Sequence, residues 1–574
     1  MDIKPVIYQI IPRLFSNRTE NCVPGADMST NGAGKMNDIT RPVIKSIKGL
    51  GATHIWLTGV IEHAQTTDYS HYGIRRDNPH VVKGKAGSPY AIKDYYDIDP
   101  DIAVSVPDRM KEFENLVERI HKEGMKVIID FVPNHVAREY HSNSAPEGTE
   151  DLGASDDMSV AFSAQNNFYY IPNMMFVPES GTGSGEDAYI EFPAKATGND
   201  CFTAFPSVND WYETVKLNYG VDYQDGSRHF DPLPATWQKM RDILLFWAAK
   251  GVDGFRCDMA HMVPVEFWHW AIACVKETHP DIKFIAEIYD TALYREFIFG
   301  GGFDYLYDKV NLYDTLRGVQ CQGWPASSIT GCWQTVEGIG SHMLNFLENH
   351  DEQRFASEMY AGDCMKVLPS LAVSALISTG PMMIYMGQEL GEKGMDTEGF
   401  SGRDGRTTIF DYWSVDTLRR WLSGGRPSDK NLTPREILLR SIYSKILNLC
   451  NSSRAVAEGA FFDLMYVNND NPRFNSYRQY AFLRHCGDEL LLVAVNFGSD
   501  SEDASINLPA HAFEWLGIEE GKRQCREVLT GETKQSSVSS DSPFATFIPP
   551  FGAAIWKIDV TENKKCEVRG TTAR

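Results

Sequence analysis

An arginine and an aspartate lie two positions apart at the end of residues 251–258, which read GVDGFRCD. The apolar start and the aromatic residue predict a short buried strand, on which residues i and i+2 share a face. Arg256 and Asp258 therefore point to the same side, where the cation favours the ionised carboxylate and fixes its orientation. A carboxylate held in this way suits a nucleophile in covalent catalysis. A structural ion pair is the alternative for such a pair on its own.

Charged and polar residues also end three other predicted strands. Asp130 and His135 follow one strand, Glu287 ends another, and His350 with Asp351 ends a third. Several carboxylates gathered in one place cost stability, and this cost favours a functional interpretation of them. Two carboxyl groups about 5–5.5 Å apart would supply the nucleophile and the acid/base of retaining glycoside hydrolysis. The acid must keep its proton near neutral pH, which burial and a neighbouring carboxylate favour.

Eight apolar segments predict the strands that would position these residues. Most of them alternate with segments of helical periodicity, such as residues 107–124 and 236–250. This order indicates an α/β chain folded as a (β/α)8 TIM barrel, whose active site lies at the C-terminal ends of the strands. The predicted strands are residues 6–10, 53–57, 125–135, 251–258, 283–288, 303–307, 343–351 and 382–387.

The barrel is predicted to comprise residues 1–135 and 223–450, with a long loop after its second strand that ends near residue 100. Residues 136–222 are rich in Gly, Ser, Asn, Asp and aromatics, and they predict an inserted domain after strand 3. Residues 451–560 predict a C-terminal antiparallel β-sandwich, and the polar residues 561–574 predict a disordered tail. The sandwich strands are predicted at residues 461–467, 479–485, 489–497 and 553–558.

The composition argues against several classes of partner. The chain has 574 residues and a net charge of −22, which disfavours nucleic acid and anionic membranes. Aromatic residues make up 12% of the chain, and flat rings are surfaces on which sugars stack. No apolar run reaches the roughly 18 residues of a membrane span, and the N-terminus shows no signal-peptide pattern. Eleven scattered cysteines without CxxC pairs indicate reduced thiols, so we expect a cytoplasmic location.

At its predicted strand ends, the chain resembles the α-amylase family, glycoside hydrolase family 13. Residues 130–135 (DFVPNH) are similar to the first motif of that family and residues 254–258 (GFRCD) to the second. Ala286-Glu287 is similar to the third motif and residues 348–351 (ENHD) to the fourth. The segment 380–389 resembles the region around the last barrel strand. Four motifs in the family's order make the resemblance specific, and it extends over nearly the whole chain.

The resemblance implies a role for each of three carboxylates. Asp258 would be the nucleophile that forms the glycosyl-enzyme intermediate. Glu287 would protonate the leaving glycosidic oxygen and then activate water or an acceptor sugar. Asp351 would bind ring hydroxyls and stabilise the oxocarbenium-like transition state.

The resemblance also implies substrate-binding residues around these carboxylates. Arg256 would hold the nucleophile, and His135 and His350 would bind hydroxyls of the sugar ring that is cleaved. Tyr90 would form the floor under that ring. Asp94, four residues later, would support the same wall of the site.

Two positions differ from the family pattern or leave it open. Many members carry a Lys-His pair after the nucleophile, whereas residues 258–262 read DMAHM here, so His261 is the remaining candidate for contact with the leaving sugar. Family amylases often hold a structural Ca²⁺ between the insert and the barrel, partly through the asparagine that corresponds to Asn134. The insert has no dense run of aspartates at ligand spacing. A structural Ca²⁺ with Asn134 as a ligand therefore stays open, and the chemistry itself requires no cofactor.

These features predict a retaining α-glycoside hydrolase that acts on α-1,4-glucans or malto-oligosaccharides. A 4-α-glucanotransferase, or a cyclomaltodextrinase or α-glucosidase-type enzyme of the same family, is the nearest alternative. A catalytically inactive carbohydrate-binding relative would be expected to lack one of the three carboxylates, and this chain keeps them. Linkage, chain-length preference and oligomeric state are left open by the sequence.

Overall fold

A closed barrel of eight parallel strands forms the centre of the computed structural model, which describes residues 4–394 and 402–560. Each strand pairs with its neighbours in chain order, and the last strand pairs with the first, with Val6 opposite Met382. The predicted α/β barrel is therefore confirmed. The strands are β1 (Val6–Ile10), β2 (His54–Leu57), β3 (Lys126–Phe131), β4 (Gly254–Cys257), β5 (Lys283–Ala286), β6 (Tyr305–Tyr307), β7 (Met343–Phe346) and β8 (Met382–Tyr385).

Helices connect most of these strands and cover the outside of the barrel. The helix between β1 and β2, Arg41–Leu50, buries Val43, Ile44 and Ile47, which recur at helical spacing and form its inner face. It ends at Gly51, whose φ of 116° favours glycine. The longer helices of the barrel region are Arg41–Leu50, Arg109–Lys122, Ala235–Ala249, Val265–Thr278, Asp314–Cys321, Ile329–Thr335, Leu368–Leu376, Asp416–Trp421 and Pro434–Ser452, with the π-helical turn Glu296–Gly300 between β5 and β6.

The connection after β2 contains an antiparallel pair of strands, Ile61–His63 and Ile92–Ile98, where the sequence predicts a long loop. That prediction is wrong for these residues. The register of the pair shifts on both sides of Glu62. All seven residues of the second strand are buried, including Asp94 and Asp97, so it lacks the alternation of apolar and polar residues that marks a half-exposed strand.

The insert, residues 136–222, contains little regular structure. It leaves the barrel through His135–Ala137, which pairs antiparallel with Thr214–Lys216 where the chain returns. A second short pair joins Tyr170–Ile171 to Ala194–Lys195. Because the first of these strands follows β3 within a few residues, the insert lies beside the C-terminal ends of the barrel strands.

Two antiparallel sheets follow the barrel in the C-terminal region. Their facing sides pack through Phe544 and Trp556, whose ring centroids are 5.7 Å apart. This arrangement agrees with the predicted β-sandwich. The larger sheet has the strand order Ala460–Asp463, Gln479–Cys486, Glu489–Asn496, Gly552–Asp559, Gly521–Glu527 and Thr533–Val538, and the smaller pairs Glu502–Ile506 with Phe544–Ile548.

The sequence predicts the strands of this region incompletely. The strand predicted over residues 461–467 is wrong beyond Asp463, whose carboxylate accepts a hydrogen bond from the Met465 N–H where the short helix Met465–Asn468 begins. Strand Gly521–Glu527 is missed because its sequence, GKRQCRE, is polar on the exposed face and has few apolar residues on the other.

A buried arginine connects the C-terminal sheets to the barrel. Arg484 is 2% exposed and donates a hydrogen bond of 3.0 Å to the carbonyl of Ile377, just after the barrel helix Leu368–Leu376. It also donates to the carbonyls of Ala455 and Gly459, at 3.1 and 2.7 Å. Buried carbonyls without a donor are costly, so one guanidinium satisfies backbone groups from both parts of the molecule.

Within residues 4–394 and 402–560, no helix combines the length and the apolar character needed to cross a membrane. None of the ten cysteines in this part of the chain forms a disulfide. The predicted disordered tail, residues 561–574, lies outside the described residues.

Candidate active site

A cavity of about 300 Å³ opens at the C-terminal ends of the barrel strands. The three predicted carboxylates, Asp258, Glu287 and Asp351, all line it, although they follow three different strands. Tyr90 and His135 line it as well. The insert and the loops after β2 and β8 complete the wall through Lys83, Ser88, Trp211, Glu213, Ile409 and Phe410.

The side chain of Arg256 connects two of these carboxylates. Its Nη1 lies 2.7 Å from Asp258 Oδ1, and its Nη2 lies 2.7 Å from Glu287 Oε1. Strand β4 carries the arginine into the barrel interior, where it is fully buried. Three aromatic rings surround the guanidinium at 5.3 or 5.4 Å from Cζ to ring centroid. One guanidinium therefore fixes both carboxylates through separate nitrogens in a water-poor environment.

Asp258 and Glu287 lie on the same guanidinium. Burial, and then the neighbouring Glu287, raise the pKa of Asp258 well above its ordinary value, while Arg256 opposes this shift. The contact with Arg256 therefore favours the ionised form of Asp258 against the effects of burial and of the neighbouring Glu287.

Two hydrogen bonds orient the carboxylate of Glu287. The Tyr289 hydroxyl donates to Oε1 at 2.6 Å, and the backbone N–H of Met259 donates to Oε2 at 2.8 Å. Met259 has a φ of 43°, which is unusual for a residue other than glycine and turns its N–H toward Glu287. Neither residue is predicted as part of the site. Tyr289 could have been found from its i+2 spacing to Glu287, but nothing in the sequence indicates the conformation of Met259.

Asp351 lies on the opposite part of the wall, next to His350. Its Oδ2 is 3.0 Å from His350 Nε2, and its backbone carbonyl accepts a hydrogen bond of 2.6 Å from Arg406 Nε. Burial opposes ionisation, but His350 lowers the pKa of Asp351 below its ordinary value. The side chain is 41% exposed to the cavity, so water weakens this effect. The carboxylate is therefore ionised and accessible at neutral pH.

Tyr90 lines the cavity and stacks on His350, which is buried and is not among the lining residues. Their ring centroids are 5.2 Å apart with an angle of 24° between the planes, and the Tyr90 hydroxyl lies 2.5 Å from His350 Nε2. The amide nitrogen of Gln9 lies 2.8 Å from the other ring nitrogen of His350. The hydroxyl of Tyr90 also donates to Asp130 Oδ1 at 3.3 Å. These contacts fix the orientation of the tyrosine ring, which is 8% exposed.

His135 lies on the side of the cavity formed by the insert, with its ring centroid 5.2 Å from that of Trp211. Burial, and then the ammonium of Lys216, lower the pKa of His135 to about 3. The imidazole is therefore neutral at pH 7 and offers one donor and one acceptor. This chemistry suits a sugar hydroxyl, which can also both donate and accept.

Asp94 and His261 lie outside the cavity lining. The carboxylate of Asp94 accepts hydrogen bonds from the Ser142 hydroxyl at 2.6 Å and the Asn143 N–H at 2.7 Å. It therefore fixes the beginning of the insert and does not face the cavity. His261 is half-buried on the turn after β4, with Nδ1 3.4 Å from the carbonyl of Glu287. Asp94 therefore acts through the insert, and His261 contacts the backbone of Glu287.

An ion pair at one end of the cavity was not expected from the sequence. Lys83, from the connection after β2, lies 3.1 Å from Glu213 of the insert, and both side chains are less than a tenth exposed. Burial raises the pKa of Glu213, while Lys83 opposes the shift. The two residues are 130 positions apart in the chain, so no local pattern relates them.

Two groups of residues have donor atoms of the kind that bind metal ions. Asn134, the candidate calcium ligand, directs its Oδ1 at the buried ammonium of Lys216, so that oxygen already faces a cation. Elsewhere, Glu62, Asp94 and Asp97 place one oxygen each within 4.8 Å of one another, and all three are buried. Burial raises the pKa of Glu62 to about 8, so a proton reduces the negative charge of this group at pH 7.

Comparison with known proteins gives relatives along most of the chain. The family model described as the α-amylase catalytic domain matches residues 9–423. An α-amylase of Haloarcula japonica is 25% identical over 472 residues, which cover 81% of this chain and 52% of that protein. The chain thus spans about half the length of that curated relative. α-Amylase 3 of Dictyoglomus thermophilum is 22% identical over 548 residues, with 92% of this chain and 91% of that protein covered.

Solved structures share the fold. A maltogenic α-amylase of Thermotoga neapolitana has a TM-score of 0.62 at 18% identity and covers 97% of this chain and 99% of its own. An α-amylase of Geobacillus thermoleovorans complexed with acarbose has a TM-score of 0.61 at 18% identity, with 97% and 98% covered. The matched family model includes all four motif segments and the three carboxylates of the cavity, and the chain therefore belongs to the α-amylase family.

Proposed function

We propose that this chain is a retaining α-glycoside hydrolase that acts on α-1,4-glucans or malto-oligosaccharides. The observation that carries the proposal is the bridge made by Arg256 between Asp258 and Glu287, with Asp351 in the same cavity. Retaining hydrolysis needs one carboxylate that attacks the anomeric carbon and a second carboxyl group that reaches the leaving oxygen. Two carboxyl groups held by the two terminal nitrogens of one guanidinium are close enough for both to reach the same glycosidic bond.

In the first step, a carboxylate oxygen of Asp258 attacks the anomeric carbon while Glu287 donates its proton to the glycosidic oxygen. The bond between that oxygen and the anomeric carbon breaks, the leaving sugar departs with a new hydroxyl, and an ester joins Asp258 to the retained sugar. Positive charge develops on the ring in the transition state. The ionised, accessible Asp351 stabilises this charge.

In the second step, Glu287 is ionised and accepts a proton from water. The water oxygen attacks the anomeric carbon, the ester bond breaks, and the electron pair returns to Asp258. Two displacements on the same carbon retain the α configuration. The hydrogen bonds from Tyr289 and Met259 keep Glu287 oriented through both steps.

The cavity wall supports binding of a neutral sugar ring. The ring of Tyr90, held in place by its stacking on His350, provides a flat floor, and the neutral His135 offers a donor and an acceptor to hydroxyl groups. The buried Lys83–Glu213 pair adds a positive and a negative partner for hydroxyls at one end. Each of these groups can stack on an uncharged sugar ring or form a hydrogen bond with its hydroxyls, and none requires an anionic ligand.

A glucanotransferase is the alternative with specific support. A maltosyltransferase of Cereibacter sphaeroides is 27% identical over 218 residues, which cover 35% of this chain. Transfer uses the same ester intermediate and differs only in the acceptor, a sugar hydroxyl in place of water. An inactive carbohydrate-binding role is disfavoured because Asp258, Glu287 and Asp351 all line one cavity.

Incubation with maltoheptaose, followed by separation of the products by chain length, tests the proposal. Shorter products with rising reducing ends indicate hydrolysis, and products both longer and shorter at constant reducing ends indicate transfer. Proton NMR of the first products should show the α anomer before mutarotation. Initial release of the β anomer would contradict the retaining mechanism.

A matched variant tests the nucleophile. Asp258→Asn should lose nearly all turnover while circular dichroism and thermal unfolding remain close to those of the wild type. A 2-fluoro glycosyl fluoride should label the wild type at Asp258, which peptide mass spectrometry locates. Wild-type turnover in the variant, or a label on another residue, would show that the assignment is wrong.

A further inference from the structure

A buried lysine lies where the insert, the barrel and the turn after β4 meet. Lys216 ends the strand Thr214–Lys216 and is 2% exposed. Its ammonium donates hydrogen bonds to Asn134 Oδ1 and, at 3.3 Å, to the carbonyl of Met262, and it lies 2.7 Å from Asp200 Oδ1. Three separate segments of the chain therefore direct an oxygen at one nitrogen.

These three oxygens are of the types that Ca²⁺ prefers. An amide oxygen, a carboxylate oxygen and a backbone carbonyl are all hard ligands for that ion. An ammonium has three donors and no acceptor, so three converging oxygens also satisfy it completely. The ring of Tyr223, with its centroid 5.7 Å from the ammonium, adds a further favourable contact with a cation.

We infer that the Lys216 ammonium takes the place of a metal ion at this junction, so that Asn134 holds the insert through a lysine and binds no Ca²⁺. A divalent ion could contact the same oxygens only within a few ångströms of the ammonium, where repulsion between two buried cations is strong. The junction is thus held by a cation that belongs to the chain itself. Its stability should not depend on the concentration of Ca²⁺.

Removal of the ammonium should have two separate effects. Lys216→Met keeps the length of the side chain but leaves Asn134 Oδ1 and Asp200 without their cation, so the melting temperature should fall by several degrees. Lys216→Ala also opens space among the three oxygens. This variant should therefore gain a Ca²⁺ site that the wild type lacks.

The experiment measures thermal unfolding and Tb³⁺ luminescence of the full chain with EDTA or with millimolar Ca²⁺. All proteins carry Glu62→Gln, which replaces one carboxylate of the separate group of Glu62, Asp94 and Asp97 by a neutral amide and so weakens its affinity for a cation. In this background, neither EDTA nor Ca²⁺ should move the melting temperature when Lys216 is present. Lys216→Ala should bind Tb³⁺ and should regain stability with Ca²⁺ but not with Na⁺ at equal ionic strength.

Lys195→Ala is the matched control. Lys195 also belongs to the insert, but its ammonium makes longer contacts, 3.6 Å to Glu191 Oε2 and 3.4 Å to the carbonyl of Arg138. Its removal should lower the melting temperature less and should create no Tb³⁺ site.

Three results would overturn the inference. The first is stabilisation of the Glu62→Gln background by Ca²⁺ that Asn134→Ala abolishes. The second is a wild-type melting temperature for Lys216→Met. The third is a folded Lys216→Ala that gains no Tb³⁺ site. If Lys216→Ala does not fold, Asp200→Asn decides the question. It keeps the lysine and should lower the melting temperature without any response to Ca²⁺. An unchanged melting temperature for Asp200→Asn would count against the inference.

Discussion

Arg256→Lys should show whether the two separate contacts of the guanidinium, with Asp258 and with Glu287, matter beyond its positive charge. The lysine keeps one positive charge but has a single nitrogen, so it cannot reproduce contacts of 2.7 Å to Asp258 and to Glu287 at the same time. A lost hydrogen bond between charged groups is worth about 1.5–3 kcal/mol. If the loss falls on the transition state, kcat/KM should decrease roughly 10- to 150-fold.

The pH profile gives a second readout of the same change. Arg256 lowers the pKa of Asp258 against the effects of burial and of Glu287. A weaker contact lets that pKa rise, so Asp258 becomes ionised only at higher pH. The acidic limb of the kcat/KM profile should therefore shift to higher pH in Arg256→Lys. Initial rates on maltoheptaose from pH 4 to pH 9 measure both the magnitude and the shift.

Arg354→Lys is the control for a loss of stability alone. Arg354 is also buried and donates hydrogen bonds of 3.0 Å to Glu348 and 2.9 Å to the carbonyl of Met386, neither of which lines the cavity. This variant should melt at a lower temperature and keep nearly wild-type rates well below that temperature. A value of kcat/KM within twofold of wild type for Arg256→Lys, with an unmoved acidic limb, would refute the reasoning. Parallel losses in both variants would also refute it.

Three further changes have defined outcomes. Tyr289→Phe removes the 2.6 Å hydrogen bond to Glu287, which is worth about 1 kcal/mol, and should lower kcat about fivefold with little change in KM; an unchanged kcat would exclude this contact from the transition state. Tyr90→Ala removes the ring stacked on His350, whereas Tyr90→Phe keeps it. The kcat/KM of Tyr90→Ala should therefore be about tenfold lower than that of Tyr90→Phe. Equal values would show that the hydroxyl, and not the ring, matters. Burial raises the pKa of Glu62 from 4.5 to about 8, so the folded chain holds a proton that the unfolded chain releases. This contribution to stability is complete below pH 4.5 and is lost as the pH rises to about 8. Glu62→Gln should therefore flatten the fall in melting temperature between pH 5 and pH 8. Equal slopes of melting temperature against pH in the variant and the wild type would contradict this prediction.

The barrel and the carboxylates were accessible from the sequence because their signals are local. The strands of a parallel barrel are buried on both faces, so segments such as MMIY of β8 appear as continuous apolar runs. The side chains of Arg256 and Asp258 share a face because they are two positions apart, and their contact of 2.7 Å follows from that spacing. Asp130 joins the same group because its strand pairs directly with β4, which places it opposite Arg256.

Features that depend on distant partners could not be predicted. Lys216 and Asn134 are 82 positions apart, and neither residue type indicates the other. Asp94 follows Tyr90 by four residues, but its carboxylate accepts hydrogen bonds from backbone N–H groups of the insert. The polar strand Gly521–Glu527 forms only because neighbouring strands supply its hydrogen bonds. Each of these features is decided by tertiary packing and not by local pattern.

The position of Arg484 also limits how this molecule can be divided or recombined. Its guanidinium donates to the carbonyl of Ile377 in the barrel and to those of Ala455 and Gly459 in the following segment. A chain shortened to the barrel would leave Ile377 without its donor beside a newly exposed apolar surface. A chimera that carries a foreign C-terminal sheet would need an arginine at the same place. Exchange between relatives should therefore succeed only when the sheet and the end of the barrel helix are transferred together.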